Sequence, residues 1–242
     1  MARRRFFVDL IHQQQAELNG EEAHHLTRVL RVERGQRYEI SDNTQVFLAE
    51  VALASKDRVL FTVLEPVPLT QSPVGITLVA ALIKFDRLEW ILEKCTELGV
   101  ERFVLFNADR SEKGLEQAAP KRMSRWKRVL AESSQQCRRD RLPRLSSEVT
   151  FAKALATEAD CRLALEEEEA PAILSALPAE RVSTDRVALL LGPEGGWTAR
   201  ERELASKAGW AAVSLGPSIL RAETAAVAGV AVLNAAWAAH RT

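Results

Sequence analysis

A glycine-rich loop near the C-terminus is the strongest candidate for a ligand site. The apolar residues 187–191 lead into it, and residues 198–201 form a capping box that opens a helix. The loop itself consists of Gly192, Pro193, Glu194, Gly195, Gly196 and Trp197. Glycines let the backbone approach a ligand closely, and open α/β sheets bind ligands at the carboxyl ends of their strands. No lysine follows the glycines, as a phosphate-binding P-loop would require. A tight strand-to-helix turn without a ligand explains the loop equally well.

A second loop of the same kind follows closely. Residues 211–215 are apolar and lead into Gly216, and an alanine-rich helical segment begins after residue 224. Two strand-to-loop units so close together favour one shared pocket over two unrelated turns. Apolar side chains could form its walls while backbone N–H and C=O groups bind polar edges, as is usual in a small-molecule site. The predicted wall residues are Leu191, Leu215, Ile219 and Leu220.

One segment in the middle of the chain is strongly basic. Residues 121–144 include nine basic residues and two acidic ones, in a chain whose 33 basic and 33 acidic residues cancel. Apolar residues at helical spacing predict a helix near residues 121–137. On this interpretation Arg125, Arg128 and Arg139 share a face away from the packed stripe. Such an excess of one charge favours a polyanion partner over a merely solvated surface.

Five further polar residues are weaker candidates for a functional role. Lys84 and Arg87 flank the exit of the first strand of the α/β region, a functional position in such folds, although Arg87 could equally be a surface residue of the first helical turn. Arg221 and Glu223 directly precede the last helix, although Glu223 could simply complement its positive end. Glu97 could orient a neighbouring side chain or face water.

The cysteine and histidine patterns argue against metal and redox chemistry. Cys95, Cys137 and Cys161 form no C-x-x-C pair, and the four histidines lack metal-ligand spacing. No G-x-S-x-G nucleophile signature is present either. We therefore expect no metal and a reducing, cytoplasmic setting. The acidic run 166–169 is interpreted as a solvated loop.

Two apolar segments could indicate a signal peptide or a membrane-spanning helix. Residues 6–8 are interrupted at once by Asp9, so the sequence has no signal-peptide pattern there. The uncharged stretch 225–239 is shorter than the roughly 20 residues that span a bilayer. We expect no membrane partner and interpret this stretch as a buried helix.

The chain divides into a small β-rich domain and a larger α/β domain. A short helix is plausible at residues 20–30, and three prolines within residues 65–73 favour an extended connection. We therefore predict domains at residues 1–70 and 74–242. The strand-like runs of the first domain are residues 38–41, 45–51 and 59–64.

Alternating strands and helices define the second domain. The apolar run 76–82 is followed by a helix that Asp86 caps and Gly99 ends, and then by the apolar run 103–106. This β-α-β unit implies parallel strands. Further apolar runs at 163–165 and 187–191 continue the alternation, so we predict an α/β fold.

Motifs distributed over nearly the whole chain resemble those of one known family. The similarity is to the RsmE-type small-subunit ribosomal RNA uridine-N3 methyltransferases of bacteria, which belong to the SPOUT class. The motifs are His24-His25-Leu26, Val29-Leu30-Arg31, Gly35, Lys84, residues 93–100, Arg125-Trp126, Glu132, Gln136, Arg139, Arg141, Pro143, residues 192–196, Leu215-Gly216, Ile219-Leu220-Arg221 and Glu223-Thr224. The chain departs from the family pattern at Arg138, where a small residue is usual, and at Ala222, where threonine is usual.

The resemblance implies a fold, a cofactor and partners. It implies a small N-terminal PUA-like β-barrel that contacts RNA and a C-terminal SPOUT-type α/β domain with a parallel sheet and a trefoil knot. It implies S-adenosylmethionine as the cofactor, a homodimer, and 16S ribosomal RNA or the small ribosomal subunit as the partner. The implied reaction is methylation of N3 of a uridine in that RNA.

The resemblance and the residue patterns together assign three groups of site residues. The cofactor-binding residues are Leu191, Gly192, Pro193, Glu194, Gly195, Gly196, Leu215, Gly216, Ile219 and Leu220. The RNA-binding residues are Arg28, Arg31, Lys84, Arg125, Arg128 and Arg139. The catalytic candidates are Arg221, Arg139 and Glu223. Two other hypotheses about the function remain open at this point. The protein could be a non-catalytic RNA-binding ribosome-assembly factor, or an enzyme that uses another adenosine-containing ligand.

Overall fold

The chain forms two compact units in a computed structural model that describes residues 4–240. One unit comprises Met1–Thr70 together with Ser134–Leu142, and the other comprises Gln71–Ser133 with Pro143–Thr242. The division is therefore not a single cut in the sequence, because Ser134–Leu142 belongs with the N-terminal strands.

A six-stranded sheet and a short helix build the N-terminal unit. Its elements are β1 (Arg5–Phe7), β2 (Ile11–His12), β3 (Gln15–Asn19), α1 (Gly20–Arg28), β4 (Arg37–Ser41), β5 (Val46–Ser55) and β6 (Arg58–Val67). The strand order is β1-β4-β5-β6-β3-β2, with β1 parallel to β4 and the other neighbours antiparallel. Phe6, Ile40 and Phe61 are fully buried in its core.

The three strands and the helix predicted for this unit are confirmed. Strand β1 was not predicted because three residues are too few to show an alternating pattern, and β3 consists largely of residues with low strand propensity. Strand β6 continues through Pro66, which pairs with Phe47 near the end of the strand. A proline is tolerated at such a position because few backbone hydrogen bonds remain to be made beyond it.

A buried cluster of charged side chains joins Ser134–Leu142 to the N-terminal sheet. Glu39 accepts hydrogen bonds from Arg5 Nη2 at 2.8 Å and from Arg138 Nη2 at 2.7 Å. Arg5 also forms an ion pair with Asp140. Burial raises the pKa of Glu39, but the hydrogen bonds from Arg138 and Arg5 outweigh it and hold the pKa below its usual value.

Arg138 has a left-handed backbone conformation at a position where the related family usually has a small residue. Its φ of 59° lies in the left-handed region, which costs a non-glycine residue about 1 kcal/mol or more. Arg138→Ala removes the ion pair with Glu39 and keeps this strain, whereas Arg138→Gly removes both. We therefore expect the glycine variant to have the higher free energy of unfolding of the two, by about 1 kcal/mol in urea denaturation. Equal stabilities would show that the left-handed conformation carries no cost here.

A six-stranded parallel sheet flanked by helices forms the C-terminal unit. Its elements are β7 (Gly75–Ala81), α2 (Phe85–Glu97), β8 (Arg102–Phe106), α3 (Leu115–Gln136), β9 (Arg144–Val149), α4 (Phe151–Leu155), β10 (Cys161–Leu165), a 3-10 helix (Ile173–Ala176), β11 (Arg186–Leu191), α5 (Ala199–Lys207), β12 (Ala211–Val213) and α6 (Ala222–Ala238). The strand order is β12-β10-β11-β7-β8-β9, and every neighbouring pair is parallel. The predicted parallel α/β arrangement is confirmed.

Both faces of this sheet are buried, as parallel sheets require. Ile76 and Leu78 of β7 lie in the larger core with α2 and α6, while Val79 and Ala81 face a smaller core on the opposite side. The alternating side chains of one strand therefore serve two cores. For this reason residues 76–81 of β7 are apolar except for Thr77.

The boundaries of two helices differ from their predicted positions. Helix α2 begins at Phe85 with Lys84 as its N-cap, two residues before the predicted cap Asp86, while Gly99 follows its end with φ 96° as predicted. Helix α3 ends at Gln136. The prediction that Arg139 lies on the face of this helix is therefore wrong, because the left-handed residue that precedes Arg139 cannot continue a helix.

The alanine-rich segment forms the buried helix α6, as predicted. Gly229 lies so close to β11 that an added Cβ would approach Leu189 Cδ2 to 2.8 Å. Among residues 4–240, no helix has the length and apolar character needed to cross a membrane. The trefoil knot remains a prediction.

Candidate functional site

An open cleft lies at the carboxyl ends of β10, β11 and β12. These strands are neighbours in the sheet, so the loops that follow them meet at one edge. The cleft holds about 560 Å³ of space free of protein atoms, a volume that includes the solvent at its open mouth. Its lining residues are Leu165, Glu166, Glu167, Leu191, Gly192, Pro193, Gly196, Trp197, Ser214, Leu215, Gly216, Ser218, Ile219, Leu220, Ala222 and Ala225.

The two predicted glycine loops lie side by side in this cleft. Most of the residues predicted to bind a cofactor line it, namely Leu191, Gly192, Pro193, Gly196, Leu215, Gly216, Ile219 and Leu220. Glu194 and Gly195 belong to the first loop but are not among the lining residues. Glu194 Oε1 instead lies 3.4 Å from Arg87 Nη1. The space between the loops is open rather than filled by side chains.

Trp197 fixes the first glycine loop and was not predicted as a site residue. Its indole Nε1 donates a hydrogen bond to the carbonyl oxygen of Leu165 at 2.9 Å, which connects the loops after β10 and β11. A Cβ at Gly192 would come within 2.9 Å of Trp197 Cε2, so this position requires glycine. The signal in the sequence was a tryptophan directly after the glycines.

Arg110 braces the same loop from the segment that follows β8. Its Nη1 donates hydrogen bonds to the carbonyl oxygens of Gly195 at 3.0 Å and Trp197 at 3.3 Å. The neighbouring Asp109 N–H donates to Glu201 Oε1 at 2.9 Å, in the capping box of α5. Sequence reasoning missed Arg110 because no motif connects it with residues so far along the chain.

The acidic run after β10 contributes to the cleft. Glu166 accepts hydrogen bonds from Arg202 Nε at 2.8 Å and Nη2 at 3.0 Å, and its side chain is only 9% exposed. Burial raises the pKa of Glu166, but these bonds and backbone N–H donors leave it below the usual value. Glu167 lines the cleft mouth. The interpretation of this run as a solvated loop is therefore wrong for Glu166, whereas Glu167 is exposed as predicted.

Comparison with known proteins identifies the family. A family model described as an RNA methyltransferase domain matches residues 70–234, and an RNA methyltransferase PUA domain matches residues 18–64. The Ribosomal RNA small subunit methyltransferase E of Bacillus subtilis (strain 168) is 35% identical over 91% of this chain and 92% of its own length. The chain belongs to the ribosomal RNA small subunit methyltransferase E family.

Other members of the ribosomal RNA small subunit methyltransferase E family support the same assignment. The Synechocystis relative is 32% identical over 90% of this chain and 72% of its own length. The Neisseria gonorrhoeae family member, crystallised bound to S-adenosylmethionine, superimposes with a TM-score of 0.87 at 28% identity, covering 98% of both chains. A putative methyltransferase of Legionella pneumophila, also in complex with this cofactor, gives a TM-score of 0.87 at 29% identity with the same coverage. The predicted family and fold class are confirmed.

The three catalytic candidates of this chain lie in different environments. Arg221 is the exposed N-cap of α6, between the lining residues Leu220 and Ala222. Glu223, in the first turn of α6, is half-buried, and its Oε2 atom is buried without a hydrogen-bond partner among residues 4–240. Arg139 belongs to the N-terminal unit, where its Nε donates to the carbonyl oxygen of Arg141 at 3.3 Å.

The predicted RNA-binding residues outside the cleft are exposed, apart from the half-buried Arg139. Arg28 ends α1, and Arg31 follows it with φ 51°. Lys84 is the exposed N-cap of α2. On α3, Arg125 Nε donates to Glu89 Oε2 at 2.7 Å, and Arg128 Nε lies 4.0 Å from Glu132 Oε1. Both arginine side chains have more than half of their surface exposed, so both are accessible to a ligand.

The last observations concern Glu97 and the side chains that could bind a metal. Glu97 lies 3.0 Å from Lys94 Nζ, an ion pair on the surface of α2. Within the described chain, residues 4–240, no group of three or more His, Cys, Asp or Glu side chains could hold a metal ion.

Proposed function

We propose that this protein transfers the methyl group of S-adenosylmethionine to N3 of a uridine in 16S ribosomal RNA of the small subunit. The observation that carries the proposal is the open cleft that the two glycine loops form at the carboxyl ends of β10, β11 and β12. Membership of the ribosomal RNA small subunit methyltransferase E family supports the reaction, and the cofactor of the N. gonorrhoeae neighbour supports the methyl donor.

The residues of the cleft suit S-adenosylmethionine better than a nucleotide with phosphates. Leu191, Leu215 and Leu220 supply apolar walls, and Gly196, with φ 68°, lets the backbone approach the ligand. The charged residues among those that line the cleft are the carboxylates Glu166 and Glu167. These carboxylates would repel phosphate groups, whereas they would attract the positively charged sulfonium of the cofactor. This composition argues against ATP as the ligand.

The cofactor supplies an electrophilic methyl carbon, and the protein must place the uracil nitrogen in line with it. Binding both partners in the correct orientation accounts for much of the rate enhancement of such reactions. The first glycine loop, held by Trp197 and Arg110, would provide a rigid seat for the cofactor. Rigid support of this kind keeps the reacting atoms in the productive geometry.

Uracil N3 carries a proton and lies on the edge that pairs with adenine. The base must therefore be unpaired or extruded, and its N3 proton must be removed. Arg221 is our first candidate for this step, because a guanidinium near the base stabilises the deprotonated imide by charge attraction. Glu223 would accept the proton or orient Arg221, and Arg139 is the second candidate for the cation.

The basic residues outside the cleft would bind the RNA backbone. Arg125 and Arg128 belong to α3, and Lys84 stands at the start of α2. Arg28, Arg31 and Arg139 would extend RNA contact to the PUA-like domain. We further propose, on the family resemblance, that the protein acts in the cytoplasm as a homodimer with the knotted SPOUT topology.

Replacing Arg125 and Arg128 together by alanine should weaken RNA binding and flatten its salt dependence. Each phosphate contact releases condensed counterions, so losing two contacts should lower the slope of log K against log salt by about 1.5 to 2. Fluorescence anisotropy with a fragment of 16S ribosomal RNA measures the slope. Lys207→Ala, an exposed basic residue of α5, is the control. An unchanged slope in the double variant would remove these residues from the RNA interface.

Mass analysis of small-subunit RNA from cells with and without the gene tests the proposed reaction. We expect one N3-methyluridine to be missing from the 16S ribosomal RNA without the gene and to return when the gene is restored. A complete set of methyl groups without the gene, together with retained RNA binding, would instead indicate a non-catalytic ribosome-assembly factor.

A further inference from the structure

One carboxylate at the mouth of the cleft has no part in the methyl-transfer scheme above. Glu167 is exposed and lines the cleft, and its Oε2 atom lies 3.3 Å from the point where a Cβ on Gly196 would stand. The carboxylate therefore faces the glycine loop that we assign to the cofactor. Among the lining residues, only Glu166 shares its charge.

Arg202 interacts differently with the neighbouring carboxylates of this acidic run. It forms hydrogen bonds with Glu166 at 2.8 and 3.0 Å and an ion pair with Glu168 at 2.9 Å. Hydrogen bonding to Glu166 is the main reason that the pKa of Arg202 is raised, while Glu167 contributes only a weaker charge attraction. The negative charge of Glu166 is thus largely compensated, and that of Glu167 is left facing the cleft.

The proposed reaction changes the charge of the ligand in this cleft. The S–CH₃ bond breaks with its electron pair remaining on sulfur, the N3–CH₃ bond forms, and the N3 proton passes to a base. The cationic sulfonium of S-adenosylmethionine thereby becomes the neutral thioether of S-adenosylhomocysteine. A fixed negative charge nearby attracts the first and not the second.

We infer that Glu167 is a specificity-determining residue that favours the cationic methyl donor over its neutral product. This inference rests on the proposed function, because it assigns a role in the same cleft. Its physical consequence is that the affinity for the ligand falls once the methyl group has left. Glu167 thus promotes exchange of product for a new donor.

Isothermal titration calorimetry of the whole protein with each ligand tests the inference. In buffer of about 20 mM ionic strength, Glu167→Gln should reduce the preference for S-adenosylmethionine over S-adenosylhomocysteine by about three- to fivefold, the size expected for an exposed charge pair. Glu167→Lys should reduce it further. Salt at about 300 mM should shrink the difference between the wild type and the glutamine variant.

Glu169→Gln is the matched control, since it removes one negative charge from the same acidic run at a residue that does not line the cleft. Its ligand preference should stay within about twofold of the wild type. If Glu167→Gln weakened both ligands equally, the carboxylate would contact a part they share, such as the ribose, and the inference would be wrong. An unchanged preference would also overturn it. Failure of the wild type to bind either ligand would overturn the proposed function as well.

Discussion

Arg221→Ala is expected to lower the rate of 16S ribosomal RNA methylation by about a hundredfold or more while leaving the affinity for S-adenosylmethionine within about twofold. The large effect on rate follows from the role proposed for the guanidinium in removing the N3 proton, a step typically worth a factor of 10² to 10⁴. The small effect on affinity follows from its position, because Arg221 is exposed and does not line the cleft. Single-turnover methylation and calorimetry measure the two quantities separately.

Two further variants show whether the effect belongs to this guanidinium. Arg200→Ala removes an exposed arginine from the first turn of α5 and should leave the rate unchanged. Arg221→Lys keeps the positive charge but loses the planar fork, so it should recover part of the activity. If Arg221→Ala instead raised the apparent dissociation constant for RNA without changing the rate at saturation, Arg221 would be a phosphate contact and not part of the chemistry.

The location of the cleft could be predicted from the sequence because the relevant signals are local. The apolar run of β11 and the glycines after it occur within ten residues of one another in the chain. The same pattern recurs at β12, and parallel strands must place such loops at one edge of the sheet. The prediction requires only the direction of the strands and which strands are adjacent in the sheet, and both are inferred from the β-α-β alternation.

The supports of the cleft could not be predicted because they come from distant segments. Arg110 follows β8, and Arg202 lies on α5, yet both bind loops that line or flank the cleft. No periodicity or motif specifies which carbonyl or carboxylate a surface arginine will meet. The acidic run after β10 shows the same limit, since composition alone suggested that Glu166 faces water.

Backbone conformation was equally hidden at Arg138. Nothing in its side chain signals a left-handed residue, and the apolar spacing of α3 would allow the helix to continue past it. Here an ion pair with Glu39 accompanies a conformation that glycine would adopt more readily.

Gly196→Val is expected to abolish measurable binding of S-adenosylmethionine while the protein remains folded. Gly196 has φ 68°, which a β-branched residue adopts only with strain, and an added Cβ would stand 3.3 Å from Glu167 Oε2, at the wall of the cleft. The side chain of valine would therefore both distort the loop and fill the space next to it. Calorimetry measures the loss of binding, and circular dichroism during heating monitors the fold.

Gly114→Val is the control that separates backbone strain from filling of the cleft. Gly114 has φ 91° and nothing within 4 Å of an added Cβ, so this variant carries similar backbone strain at a position that does not line the cleft. It should lose stability, by about 1 to 2 kcal/mol, and keep its affinity for the cofactor. Normal cofactor binding by Gly196→Val would show that the loop after β11 does not hold the methyl donor, and the cleft would then have to serve a different ligand.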